Sequence, residues 1–185
     1  MKELTATFHS EVSRPIVTLV VPGFYAIASA SISSLQRFEN LRTLLDKYAG
    51  AATVVFLLVV LAVGLITEEV GARIEKHFDN AMSKRGGYER HSEEWFDYLR
   101  LAFDKEPVGH RYLRSLVLRL KFELGMAVAT LPFAVGALFI EIARGWRFAT
   151  STISCLVGVY LYFEAKSSST ILSELRREML KKKWN

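Results

Sequence analysis

Glu68 and Glu69 stand side by side in the stretch LITEEVGARIEKHF (65–78), directly after twenty residues that carry no charge. Paired carboxylates in such a place have two uses. They can line the mouth of an ion path, or they can pair with basic side chains where a helix leaves lipid. The other residues equipped for chemistry are His77, His91 and His110, which have Glu75, Glu89 and Glu94 as acidic neighbours. Their spacing is not that of HExxH or a comparable ligand set, so no metal centre is expected. The chain has no P-loop, no glycine-rich nucleotide loop and no nucleophile elbow, so neither a cofactor nor an enzymatic activity is expected. The single cysteine, Cys155, excludes a disulfide within the chain and a cysteine-based metal site. It is read as a buried thiol.

The elements that carry these residues follow from the distribution of charge. Residues 15–36 and 48–67 are uncharged, as are the shorter runs 124–140 and 148–163. About 20 helical residues cross a hydrocarbon core of ~30 Å. Phe122 and Trp146, with snorkelling Lys121 and Arg147, extend the last two runs to the interface. The expectation is an all-α polytopic membrane protein of one domain, with spans at about 15–36, 48–67, 122–140 and 146–164. Ala26-Ile27-Ala28 and Ala28-Ser29-Ala30 resemble cleavage sites of a signal peptide, but the uncharged run continues past them and is read as a span. The net charge of +5 then suits an anionic membrane surface rather than nucleic acid.

Four spans put both termini on one side. Of the Lys and Arg residues, 19 fall on that side and 5 on the two short loops 37–47 and 141–147 opposite. The positive-inside rule therefore places the termini and residues 68–123 in the cytoplasm. That region reads as a helical extension, 68–121, joined by a C-terminal helix at 165–183. Helical spacing continues after the second span to a turn at Gly86-Gly87. Residues 92–103 then form an amphipathic helix with Ser92 as N-cap and Trp95, Leu99, Ala102 and Phe103 on one face. Trp95 and Leu99, with Leu175 and Met179 of the C-terminal helix, are candidates for docking a cytosolic partner.

On this topology several charges share one membrane level: Arg14, Glu68, Glu69, Lys121, Glu123, Glu164 and Lys166, with Arg73 one turn beyond Glu69. They form either an interhelical salt-bridge belt or a carboxylate ring at a pore mouth. In the first span Ala26, Ser29, Ser33 and Gln36 share one face. Small and hydroxylated residues at that spacing serve close helix packing, and they also suit a water-filled lumen. Gly125 with Ala129, and Thr150-Ser154-Gly158, carry the packing signal again, while Pro22 and Pro132 mark bends.

The stretch ITEEVGARIE after a long span is similar to the segment just past the second span of some small bacterial membrane proteins. With four spans and a modest cytoplasmic bundle, the chain resembles membrane subunits of bacterial anti-phage defence systems. The resemblance implies a protein that perturbs or senses the inner membrane and works with a cytosolic partner. Arg85-x5-His91 resembles the Arg-x(4–6)-His motif of HEPN ribonucleases, but Gly86-Gly87 interrupts the helix that carries such a motif. The first function expected is a homo-oligomeric regulated pore or membrane-perturbing effector; the second is a non-conducting anchor or scaffold that recruits a cytosolic protein, and a distant third is a membrane-embedded enzyme using residues 68–123.

Overall fold

The computed structural model describes residues 16–85, 87, 91–99 and 108–184, and every regular element among them is helical. A π-helical turn, Ile16–Val20, leads into α1 (Val21–Arg37). There follow α2 (Glu39–Lys47), α3 (Ala49–Arg85), α4 (His91–Leu99), α5 (Val108–Ala137) and α6 (Arg144–Trp184). Four helical stretches are long and apolar enough to cross a membrane: Ile16–Arg37, Ala49–Arg85, Tyr112–Ala137 and Arg144–Lys181.

Helix α5 is the centre. In its apolar window 56% of residues are buried, against 11% in α3 and 17% in α6, so those two present their apolar surface outward. Its broadest contact is with α6, followed by α1 and α3. The partners run antiparallel to it in α6, where Thr130 meets Ser154 while Glu123 meets Ser168. They run parallel in α1, where Ser29 meets Phe133 and Ser33 meets Phe139.

Two packing regimes divide the molecule. In the uncharged halves the contacts are mostly between small residues: Val60, Gly64 and Thr67 are the buried stripe of α3 there, and Gly71 continues it just past the glutamates. The α1–α3 crossing depends on Gly23 and Gly64, since a Cβ on Gly23 would collide with the carbonyl oxygen of Val60, and one on Gly64 with that of Leu19. Beyond the charged residues a conventional core takes over. Leu113, Leu116, Leu120 and Leu124 recur on one face of α5 and pack with Phe78, Tyr98, Ala165, Leu172 and Leu180.

Several expectations shift. The outer connection 37–47 is not a loop; residues 39–47 are α2, a helix with Glu39 in its first turn and Lys47 in its last, both favourable to the helix dipole. The amphipathic helix expected over 92–103 is α4, His91–Leu99; Ala102 and Phe103 lie outside the described residues, as does Arg14. Pro22 stands in the first turn of α1, behind the π-helical turn, and Pro132 lies inside α5. Cys155, expected to be buried, is exposed. The reason is its register: Ser154 and Gly158 of α6 face α5, which leaves Cys155 on the rim of an apolar groove of about 440 Å³ that Leu131, Gly158 and Tyr162 also line.

Gly23→Ala and Gly64→Ala should each destabilise the chain by about 1–3 kcal/mol, the usual range for overpacking. Gly50→Ala, which meets nothing within 4 Å, should be neutral or gain about 0.5–1 kcal/mol from the helix backbone. Thermal unfolding in detergent micelles checks this; equal midpoints for Gly23→Ala and Gly50→Ala would remove the close contact from the account.

Candidate functional site: polar layers between the helices

Three sets of polar side chains occupy helix interfaces. The first is the serine face of α1. Ser29 is fully buried and donates to the Phe133 carbonyl at 2.8 Å; Ser33 donates to the Phe139 carbonyl at 3.0 Å. Gln36 accepts from the Glu141 backbone N–H at 2.7 Å through its Oε1. Nearby, Ser154 donates to the Thr130 carbonyl at 3.1 Å and Thr130 to that of Ala127 at 2.7 Å. A hydroxyl in an apolar interface is costly unless it is hydrogen-bonded, and each of these has a partner within the chain.

The second set is the charged layer. Arg119 of α5 holds it together: its Nε donates to Glu123 one turn on, at 2.6 Å, and its Nη2 pairs with Glu164 of α6. Glu123 is 4% exposed and also accepts from Ser168 of α6 at 2.8 Å. Lys121 lies 3.5 Å from Glu68 of α3. Glu69 pairs with Arg73 at 3.2 Å along α3, with both side chains largely exposed. Three helices are thereby tied at one level. Lys166 is exposed and stands apart from these pairs. Arg119 is missing from the charges that the sequence places at this level; its i,i+4 spacing to Glu123 is the signal that marks it.

The third set lies in the extension. Glu94 of α4 is fully buried and accepts from Arg176 Nε at 2.8 Å, from Ser83 Oγ at 3.3 Å and from Arg177 Nη2 at 3.5 Å. Arg177 also reaches the Met82 carbonyl, and the Trp95 ring covers the Arg176 guanidinium at 4.3 Å from its centroid. Two turns back along α6, Ser169 donates to buried Asp79 of α3 at 3.2 Å. The Arg176–Glu94 pair joins helices 82 residues apart in sequence, which periodicity cannot reveal. Burial raises the Tyr98 phenol above its ordinary 10.0, against an opposing effect of the Arg176 charge. A raised folded pKa means that the unfolded chain loses its proton first. The stability from keeping Tyr98 neutral is thus full below pH 10 and falls as pH rises past it.

Of the proposed docking residues, Trp95, Leu175 and Met179 pack on the extension's own core, while Leu99 is 68% exposed beside Phe96 at 59%. His77 is exposed, and the side chains of His91 and His110 are outside the described set. Among the described residues no three His, Cys, Asp or Glu side chains converge as a metal site would need. Comparison with protein-family models, with curated proteins and with solved structures finds no match.

Glu94→Ala leaves the buried Arg176 guanidinium, and the half-buried one of Arg177, without their carboxylate and should cost about 3–5 kcal/mol. Glu94→Leu combined with Arg176→Met should recover most of that loss, because a buried pair replaced by apolar side chains is often neutral. Urea unfolding followed by tryptophan fluorescence reads both; a double variant no better than Glu94→Ala would show that packing, not charge, was lost.

Proposed function

We propose that the chain is an integral protein of a bacterial inner membrane, with its extension and both termini in the cytoplasm. In that membrane it serves as a non-conducting anchor that assembles with copies of itself and recruits a cytosolic protein. The observation that carries this reading is the commitment of Ser29, Ser33 and Gln36. A pore needs a continuous polar path, and the one sustained polar stripe in the spans is hydrogen-bonded to α5 and the turn after it. The broad outward apolar surface of α3 and α6 suits lipid, since patches of that size are rare on soluble monomers. The 19 to 5 distribution of Lys and Arg supports the orientation. Phe96 and Leu99, exposed one turn apart on α4, are the apolar pair offered to the partner. A place among anti-phage membrane subunits accords with such an anchor and rests on the architectural resemblance.

In proteoliposomes carrying a potassium gradient the protein should produce no flux above that of empty vesicles. Ser29→Ala with Ser33→Ala should lower stability, by about 1 kcal/mol for each lost hydrogen bond, and leave the permeability unchanged. Flux that Ser29→Leu with Ser33→Leu abolishes while assembly survives would establish the pore instead. On a Cys155→Ser background, Thr43→Cys should be labelled from outside intact cells and Lys181→Cys only after permeabilisation; the reverse would invert the topology.

A further inference from the structure

Helix α2 buries none of its residues. Its sides nevertheless differ sharply. At 100° per residue Phe38, Leu41, Leu44, Leu45 and Tyr48 fall in one arc of about 120°, while Glu39, Asn40, Thr43 and Lys47 fall opposite. Within the apolar arc Phe38, Leu44 and Tyr48 are 60%, 55% and 53% exposed. A helix of nine residues is not stable in water by itself, so something must cover this face.

The connections of α2 say where that cover comes from. Single residues join it to its neighbours: Phe38, in extended backbone, to α1, and Tyr48 to α3. Helices α1 and α3 are antiparallel, since Phe24 meets Phe56 while Gly23 meets Val60 and Leu19 meets Gly64. Their joined ends therefore lie at the same level, and α2, about 13 Å long at 1.5 Å per residue, must run across the spans. The apolar arc thus lies at the end of the spans where Ile32 and Leu35 of α1 and Val54 and Val55 of α3 are also exposed. Two acids and two bases cancel on α2, so charge attraction to a partner does not hold it there. Between α1 and α2 a cleft of about 580 Å³ opens, lined by Ile32, Leu35, Gln36, Arg42, Leu45 and Asp46. The apolar walls at Ile32, Leu35 and Leu45 suit an acyl chain, and the polar lining at Gln36, Arg42 and Asp46 carries one cation and one anion, so it selects no anionic group.

We propose that α2 is an in-plane helix seated in the leaflet at that end of the spans, its Phe38–Leu41–Leu44–Tyr48 face among the acyl chains. The inference rests on the membrane reading above and adds to it: the anchor displaces lipid in one leaflet only, which gives it an asymmetric footprint.

The test uses single cysteines on the Cys155→Ser background, labelled with an environment-sensitive fluorophore, in phosphatidylcholine proteoliposomes. Leu44→Cys should be quenched several-fold more by a lipid quencher near the headgroup than Thr43→Cys, and Thr43→Cys several-fold more by aqueous iodide. Leu58→Cys in mid-α3, 60% exposed in the protomer, should respond to a quencher near the chain ends. If Leu44→Cys is open to iodide while Leu58→Cys stays in lipid, α2 lies in water and the inference fails alone. If Leu44→Cys is shielded from both quenchers, protein covers the face and the inference again fails. If Leu58→Cys is open to iodide, the membrane reading fails with it.

Discussion

On α5, Arg119 donates to Glu123 one turn ahead and to Glu164 on α6, at the point where the uncharged windows of α3, α5 and α6 end. On the membrane reading this is the most demanding place in the molecule, because charges at the edge of hydrocarbon need partners or water. The pairing lets three helices leave the apolar zone together as one unit. Lys121 brings α3 into it through Glu68, and Ser168 satisfies the half of Glu123 that Arg119 does not reach. Removing Arg119 would strand a nearly buried carboxylate and loosen both flanking helices at once.

The layer separates two ways of holding helices together. On the membrane reading the surroundings on one side are as apolar as the side chains, so burial drives nothing there. Close contact at Gly23 and Gly64 and hydroxyl bonds from Ser29, Ser33 and Ser154 take over there. On the other side the hydrophobic effect operates, and α5 supplies four leucines at helical spacing to a core with Phe78 and Leu172. That core also closes over the Glu94–Arg176 pair. Glu94 fastens short α4 to α6 together with Tyr98 and Trp95 in the core, and the exposed Phe96 and Leu99 are presented on that helix. The same division accounts for the serine stripe, whose hydroxyls bond α1 to α5 and the turn after it.

The helical class and four long apolar helices were legible because they depend on run length and charge spacing, which the sequence displays directly. The continuation of α3 as far as Arg85 was legible for a similar reason, since nothing before Gly86-Gly87 breaks the helix. Helix α2 was hidden by its shortness. Phe38, Leu41, Leu44 and Tyr48 complete only three turns, and the charges among them resemble those of a loop. The burial of Cys155 was misjudged because run hydropathy does not say which face of α6 turns toward α5. The role of the stripe at Ser29 and Ser33 stayed open because packing and lumen ask for the same residue types. Pairings between distant segments, such as Glu94 with Arg176, leave no periodic trace.

A spin-label scan along the outward face of α3, from Leu58 through Ile66 to Lys84, measures the position of the boundary most directly. Oxygen accessibility should dominate through Ile66 and give way to a water-soluble relaxation agent within about one turn of Glu68–Glu69. That crossover would place the charged layer at the edge of the hydrocarbon. Oxygen dominance continuing to Lys84, or water access already at Leu58, would contradict it.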